Sequence, residues 1–466
     1  MLRNVELPLW LLVLILAFAA VTFASHFLFP SVRWFFRRRM ERAVARLNER
    51  LPRPIEPFKL ARRHDTIQRL IYDRDVLLAV AEHARTEGVP EAVAHQRAER
   101  YAREIVPAFS ASAYFGFAIW LARKLMRALY RVKITHYDGR LEKIDPGATV
   151  VFVMNHRSNM DYVLVTYLVA RRAALSYAVG EWARVWPLRT LIRAMGAYFI
   201  RRKSRDALYR RVLARYVAMA TANGVTQAVF PEGGLSLDGR IHPPKLGILS
   251  YVIDGAAESG RDLVFVPVAL NYDRVLEDRV LIEAGRSGER RFRAPVPVIL
   301  NFAFHHLWKR LRGRFGKFGM AAVGFGAPLS YAQFRAGREG AALEALGAEL
   351  MARVAAVSPV LPVPLVAAEL LAARAPLSEA ELTERVAARL GAAGLRGDWA
   401  AEAVAGGLAQ LRLRRNRILE ETDGRIAARP EERPLLEFYA ASIAHLSNAP
   451  AAKTPRQRAK SATGAT

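Results

Sequence analysis

A histidine and an aspartate five positions apart are the first residues of this sequence that could do chemistry. His156 and Asp161 lie in the run NHRSNMDY at 155–162, directly after the apolar stretch at 149–154. Side chains at the carboxyl end of a strand reach the cleft where α/β sheets bind ligands. A carboxylate near a helix N-terminus stays ionised and can hold one imidazole nitrogen, which leaves the other to deprotonate an alcohol. The pair therefore predicts a general base, although such pairs taken alone are more often structural.

A covalent acyl-enzyme has no evident nucleophile in this chain. The 466 residues contain no cysteine and no G-x-S-x-G motif. The lack of cysteine also excludes disulfides and thiolate zinc sites. The residues therefore indicate direct attack by a substrate hydroxyl that His156 activates.

A cluster of cations follows a second short apolar run. GAYFIRRK at 196–203 ends in Arg201, Arg202 and Lys203, which could hold a phosphate. A basic strand end is the simpler explanation of this block when it is taken alone.

Two further blocks follow in order along the chain. FPEGGLS at 230–236 contains Gly233, Gly234 and Ser236; the glycines allow close backbone approach to a ligand, and Glu232 can accept hydrogen bonds from substrate hydroxyls. FVPVAL at 265–270 contains Pro267, which suggests an edge strand or a strand end near a binding surface. Each block has a structural explanation, but four such blocks in order favour a site.

Short β-rich runs alternate with helical stretches around these blocks. The alternation predicts an α/β domain at 130–335, with a mostly parallel central sheet flanked by helices. Gly88-Val89-Pro90 predicts a break between two helices. Ser378 and Glu381 form a capping-box pattern, and Asp423-Gly424 predicts a hairpin turn. The predicted organisation is a transmembrane anchor at 1–30, a helical membrane-proximal region at 31–129, the catalytic domain, a helical C-terminal region at 336–447 and a disordered tail at 448–466.

The formal net charge of +27 favours a polyanionic partner, either a nucleic acid or an anionic membrane surface. Residues 7–29 carry no charged side chain, which is just long enough to span a bilayer, and a dense arginine block follows from Arg33. The positive-inside rule then places the rest of the chain in the cytoplasm, on an inner-membrane anchor. A cleaved signal peptide is the alternative, and the arginine block opposes it. The stretch at 109–129 is too short in apolar length for a second span, so we expect a helix on the membrane or packed on the domain.

The four blocks resemble the ordered motifs of the glycerolipid acyltransferase superfamily. HRSNMDY and GAYFIRR are similar to its glycerol-3-phosphate and dihydroxyacetone-phosphate branch, and the flanking regions resemble those of long bacterial glycerol-3-phosphate acyltransferase-like proteins. The resemblance implies that His156 is the general base and Asp161 its orienting partner. It also implies that Arg201, Glu232 and Gly233 bind the acyl acceptor and that Pro267 shapes the donor side.

One departure from the pattern concerns the acceptor phosphate. The branch usually has arginines after the glycines of the third block, where this chain has Leu235 and Leu237. Four cations could substitute for them, namely Arg157, Arg202, Arg240 and Lys245.

The resemblance implies transfer of a fatty acyl group from acyl-CoA or acyl-acyl carrier protein to the sn-1 hydroxyl of glycerol 3-phosphate, without a metal or a cofactor. Acylation of 1-acylglycerol 3-phosphate is the first alternative, because of the two leucines. A non-catalytic membrane-surface protein is the second. Nucleic-acid binding rests on net charge alone, so we expect membrane lipids and no nucleic acid as partners.

Overall fold

The computed structural model describes residues 8–17, 38–39, 42–169, 173–180, 188–201, 204–288, 317–336, 338, 343–414 and 417–446. The chain divides into two compact units, Met1–Pro54 and Ile55–Thr466. In the first unit, residues 9–17 and 42–50 are helical. No helix among the described residues is both long and apolar enough to cross a bilayer. The predicted span at 7–29 lies largely outside the described residues, and the predicted disordered tail lies wholly outside them.

The second unit is built on an eight-stranded sheet. Its strands in the described chain are β1 (Arg131–Tyr137), β2 (Thr149–Met154), β3 (Ser176–Val179), β4 (Tyr198–Phe199), β5 (Gln227–Val229), β6 (Leu263–Tyr272), β7 (Met320–Phe325) and β8 (Leu329–Ser330). The strand order is β1-β7-β6-β2-β5-β3-β4, and β8 pairs with β6 beside β7. The run from β6 to β4 is parallel throughout, whereas β7 and β8 are antiparallel to β6. The predicted α/β fold with a mostly parallel sheet is therefore confirmed.

The two central strands are apolar along almost their whole length because helices cover both faces of the sheet. Every residue of β6 is buried, and five of the six residues of β2 are buried. Parallel sheets in α/β proteins have such continuous apolar runs for this reason.

The prediction that Pro267 marks an edge strand or a strand end is wrong, because β6 lies inside the sheet between β7 and β2 and Pro267 lies in the middle of it. On one side of β6 the ladder with β8 reaches Phe265, and the ladder with β7 begins at Val268. Pro267 falls between the two ladders, where its missing N–H removes no strand pairing on that side. Its carbonyl accepts a hydrogen bond from the Gly326 N–H at 2.8 Å.

Helices cover the sheet on both faces. The α-helices of the second unit, in the described chain, are α1 (Pro57–Leu60), α2 (Arg63–Ile71), α3 (Arg74–Glu87), α4 (Glu91–Ile105), α5 (Ile119–Leu129), α6 (Asp161–Val169), α7 (Leu188–Ala194), α8 (Ala207–Ala222), α9 (Gly247–Ser259), α10 (Asp278–Ser287), α11 (Tyr331–Ala336), α12 (Leu343–Ala356), α13 (Pro362–Ala372), α14 (Glu379–Ala392), α15 (Ala400–Arg412) and α16 (Arg433–Ala440). The predicted break at Gly88 is confirmed, since this residue ends α3 in the left-handed conformation.

The stretch at 109–129, expected to lie on the membrane or to pack on the domain, packs on the domain with one face. A π-helical turn at Ala113–Ala118 leads into α5. Tyr114 of this turn and Met126 of α5 are buried. On the opposite side Phe117 and Trp120 are 50% and 54% exposed, and their rings lie 6.2 Å apart. An aromatic surface is therefore left open on a helix that packs against α6.

The helices after the sheet belong to the same core as the strands. Side chains of α13 and α16, such as Leu365 and Phe438, join one buried cluster with Val268 of β6. The Ser378–Glu381 capping box is present at the start of α14. The predicted hairpin is also confirmed: β9 (Leu419–Thr422) and β10 (Arg425–Ala428) flank the Asp423-Gly424 turn, where both residues have positive φ.

Candidate active site

The predicted histidine–aspartate pair forms at the carboxyl end of β2. His156 lies in the loop after this strand, and Asp161 is the first residue of α6. The His156 Nδ1–H donates to Asp161 Oδ2 at 2.9 Å, and both side chains are fully buried. Since the carboxylate can only accept, this contact makes Nε2 the basic nitrogen of the ring. The arrangement can therefore abstract a proton from an alcohol once neighbouring side chains admit the substrate.

Aromatic rings fix the plane of the imidazole. Phe230, the residue after β5, stacks on His156 with ring centroids 4.1 Å apart and an interplanar angle of 27°. Tyr162 meets the imidazole edge-on at 5.6 Å. Ring rotation is therefore restricted by packing as well as by the hydrogen bond to Asp161.

Asp161 organises the loop as well as the ring. Its Oδ2 also accepts hydrogen bonds from the Arg157 and Ser158 N–H groups, at 2.7 and 3.0 Å. Its Oδ1 accepts one from the Tyr272 hydroxyl at 2.7 Å. The buried carboxylate therefore has four donors, which offset the cost of removing it from water.

Glu277 holds the other half of the loop. Its carboxylate accepts a hydrogen bond from Ser158 Oγ at 2.9 Å and one from the Asn159 N–H at 2.6 Å. Burial raises the pKa of Glu277, and the two donors work against that rise. Residues 156–159 thus lie between two carboxylates, and Glu277 had no signal in the sequence that set it apart from other acidic residues.

Glu232 connects the third block to the base. One carboxylate oxygen accepts from the His156 N–H at 2.9 Å and the other from the His242 N–H at 3.1 Å. The Ser236 N–H donates a hydrogen bond to the His156 carbonyl at 2.9 Å. Burial raises the pKa of Glu232 to about 7, against these donors and Arg157, which favour the charged form. Both oxygens therefore accept hydrogen bonds from backbone N–H groups, one of them in the loop after β2.

The turn after Glu232 lies against the side chain of Lys245. Gly233 has φ +69°, and a Cβ built on it would lie 2.8 Å from Lys245 Cδ and 3.3 Å from Lys245 Nζ. Gly234 is buried beside it, and the Lys245 N–H donates to the Pro231 carbonyl at 2.7 Å. Lys245 is exposed, and its ammonium has no hydrogen bond or ion pair with another described residue.

The two leucines that replace cations in this block face the core. Leu235 is buried in the main cluster, and Leu237 packs against it half-buried. Ser236 Oγ donates to the Arg240 carbonyl at 2.8 Å, and the Arg240 side chain is exposed. Of the cations predicted to bind the phosphate, Arg240 and Lys245 are thus the two near this block that solvent reaches.

Arg157 is buried and points away from solvent. Its Nη1 donates to the Gly239 carbonyl, and its guanidinium lies 4.9 Å from the Phe438 ring of α16. Burial lowers its pKa, while the nearby anionic and phenolic groups oppose that change. In this conformation Arg157 connects the loop to the C-terminal helices and offers no cation to the solvent.

Arg201 forms an ion pair with a carboxylate. Its guanidinium makes a two-pronged ion pair with Glu104 of α4, at 2.9 and 2.6 Å, and stands over the rings of Tyr101 and Tyr209. The Glu104 hydrogen bond, together with its charge, raises the pKa of Arg201 against desolvation. Arg202 and Lys203 lie outside the described residues. The structure therefore does not bring the described part of the second block to His156.

Among the described residues, no group of three or more His, Cys, Asp or Glu side chains could hold a metal ion. Pro267 pairs in register with Val153 of β2, two residues before Asn155. Asn155 itself exchanges two hydrogen bonds with Leu270, at 3.0 and 2.7 Å, which tie the start of the loop to β6.

A comparison with protein families matches the part of the chain that contains these residues. Residues 136–271, which contain His156, Asp161, Glu232 and Pro267, match the family model described as Acyltransferase. This match covers the part of the chain that carries the candidate site. Downstream of it, residues 304–452 match a model described as the glycerol-3-phosphate acyltransferase C-terminal region.

Curated relatives are named glycerol-3-phosphate acyltransferase, as in the description of the second family model. The glycerol-3-phosphate acyltransferase of Pseudomonas syringae pv. tomato is 28% identical over 284 residues, which are 60% of this chain and 33% of that protein. The Pseudomonas putida protein of the same name is 29% identical over 279 residues, 59% of this chain and 32% of its own length. The matched part therefore spans about a third of the length of these relatives.

A solved structure also matches part of this chain at low similarity. It is the 1-acyl-sn-glycerophosphate acyltransferase of Thermotoga maritima, 20% identical, with 56% of this chain and 81% of that chain covered. The TM-score of 0.33 is too low to define a common fold.

Proposed function

We propose that this chain transfers a fatty acyl group from a thioester to the sn-1 hydroxyl of glycerol 3-phosphate, with His156 as the general base. The observation that carries the proposal is the buried His156–Asp161 pair, 2.9 Å apart, in the loop after β2 of an acyltransferase-family region. The name of the curated relatives supports glycerol 3-phosphate as the acceptor.

The reaction needs one proton shuttle and no covalent enzyme intermediate. His156 Nε2 takes the proton of the acceptor hydroxyl while its oxygen attacks the thioester carbonyl carbon. Asp161 stabilises the imidazolium that forms. The carbon–sulfur bond then breaks, and the imidazolium returns the proton to the leaving thiolate. The products are the ester and the free thiol of CoA or acyl carrier protein, and no metal or cofactor takes part in the proposed steps.

We assign the acceptor phosphate to Lys245, with Arg240 as the neighbouring cation. Lys245 lies against Gly233, and the adjacent Glu232 and Ser236 bond the backbone of His156. Arg201 is neutralised by Glu104, and Arg157 is buried. The core positions of Leu235 and Leu237 favour 1-acylglycerol 3-phosphate as the second candidate acceptor, because two cations typical of the branch are absent.

We place the reaction at an anionic, cytoplasmic face of the inner membrane, with an N-terminal span as anchor. The exposed aromatic pair Phe117 and Trp120 supports this placement, and the exposed Lys124 and Arg127 of α5 add positive charge. A basic surface with aromatic side chains suits the headgroup region of such a leaflet. Neither a nucleic-acid partner nor a non-catalytic adaptor has a comparable feature in its favour.

The test uses the full chain in phosphatidylglycerol–phosphatidylethanolamine vesicles, with labelled glycerol 3-phosphate and palmitoyl-CoA or palmitoyl-acyl carrier protein. We expect product with the wild type and a loss of at least about 10³-fold with His156→Ala. His136→Ala, an exposed histidine on β1, should retain full activity.

Three outcomes would change the proposal. Turnover of 1-acylglycerol 3-phosphate alone would move the reaction to the second acylation step. Equal rates in zwitterionic vesicles would contradict the anionic surface. Full activity of His156→Ala would exclude His156 as the base.

A further inference from the structure

Tyr272 is the last residue of β6, and its hydroxyl touches the predicted catalytic pair. It donates to Asp161 Oδ1 at 2.7 Å, and the side chain is fully buried. The sequence stretch that holds it, LVFVPVALNY, is otherwise apolar apart from Asn271. A tyrosine at the end of such a strand is usually a core residue, so its role is visible only from the partner of its hydroxyl.

The two oxygens of Asp161 have different surroundings. Oδ2 accepts from the His156 ring and from two backbone N–H groups of the same loop. Within the described part of the chain, Tyr272 is the one donor to Oδ1. The bonds to Oδ2 are local in sequence, whereas Tyr272 comes from a different strand 111 positions away. Tyr272 therefore determines the direction in which the second oxygen points.

Several titratable groups surround this contact. They lie just before β1, in the loop after β2, at the start of α6, after β5 and just before α10, and are Tyr130, His156, Arg157, Asp161, Glu232 and Glu277. Burial and the Asp161 charge raise the pKa of Tyr272 well above its ordinary value, so the phenol stays protonated and remains a donor.

We propose that Tyr272 is a positioning residue for the general base, which holds the Asp161 carboxylate so that it fixes the His156 ring and sets its basicity. This inference rests on the proposed acyltransferase function. Without the phenol, Asp161 has one donor fewer, and its charge is concentrated on the oxygen that faces the imidazole. The imidazolium is then favoured, so His156 stays protonated to a higher pH and works from a less defined position.

The experiment compares Tyr272→Phe with Tyr130→Phe in the vesicle assay. Tyr130 is an equally buried tyrosine whose ring lies 5.5 Å from Tyr272, but its hydroxyl donates to the Arg274 carbonyl at 2.8 Å. For Tyr272→Phe we expect kcat to fall roughly tenfold to a hundredfold, the range of a lost hydrogen bond to a charged group. The KM for glycerol 3-phosphate should change little, and the acid limb of the pH–rate profile should move to higher pH. Tyr130→Phe should lose stability to a similar degree and keep its kcat and pH profile.

A second readout needs no turnover. The His156 imidazole, labelled with ¹⁵N and followed by NMR through a pH titration, should titrate at higher pH in Tyr272→Phe and unchanged in Tyr130→Phe. If the wild type acylates no acceptor, the proposed function fails, and this titration still decides the contact. Unchanged titration and kcat in Tyr272→Phe, or equal losses in both variants without a pH shift, would overturn the inference.

Discussion

The loop that carries the base and the residues expected to bind the phosphate are built in opposite ways. The loop at 156–159 is buried and bonded by Asp161, Glu277 and Glu232, from three different parts of the chain. The cations are scattered: Arg201 is paired with Glu104, and Lys245 is exposed on a turn. The chemistry is preorganised in the protein alone, whereas recognition of the acceptor depends on a few solvent-exposed charges.

The two regions therefore tolerate amino-acid substitutions to different degrees. A change in the buried loop leaves a donor or an acceptor without its partner, which is costly, so the base tolerates little substitution. A change among exposed cations alters affinity by a modest factor and leaves the fold unchanged.

Asp161→Asn tests the buried side and should have the largest effect. The asparagine keeps the shape but cannot serve as the charged acceptor, so the His156 ring loses its tautomer and its stabilised imidazolium. We expect kcat to fall by about 10³-fold or more. Asp254→Asn, at an exposed position of α9, is the control and should be silent in the same assay. Retention of wild-type kcat in Asp161→Asn would remove the base from the mechanism.

Lys245→Met tests the exposed side and should have an intermediate effect. Loss of the ammonium beside Gly233 should raise the KM for glycerol 3-phosphate about tenfold and leave kcat nearly unchanged, because binding is weakened away from the reacting atoms. Arg201→Met should raise it less, since Glu104 already neutralises that guanidinium. Steady-state kinetics at saturating donor distinguish the two, and the reverse ranking would return the phosphate to Arg201.

Glu232→Gln tests the contact between the third block and the base loop, through the pH dependence of the free energy of unfolding. The folded-state pKa of about 7 lies above the ordinary 4.5, so this carboxyl contributes stability at pH below about 4.5 that is lost as pH rises through 7. The glutamine variant lacks this titration. The free energy of unfolding of the wild type relative to the variant should therefore fall by up to about 3 kcal/mol between pH 5 and pH 8. Denaturant unfolding at several pH values measures it, and a pH-independent difference would show that Glu232 does not titrate in this range.

Much of the fold follows from local patterns. The strands around the four blocks, the break at Gly88 and the Ser378–Glu381 capping box were all predictable, because each depends on residues within a few positions of one another. The edge prediction for Pro267 was wrong for a related reason. A proline lacks the N–H of one backbone hydrogen bond. The order of the strands decides whether a neighbouring strand needs that N–H.

The sequence alone indicates that a histidine and an aspartate follow a strand of an α/β domain, and that they suit a base without a covalent nucleophile. The pairing of Arg201 with Glu104, 97 positions away, and of Tyr272 with Asp161 is visible only in the folded chain. Hydrogen bonds and ion pairs between distant segments depend on strand order and helix packing. Those arise from the burial of the whole core, which no short pattern encodes.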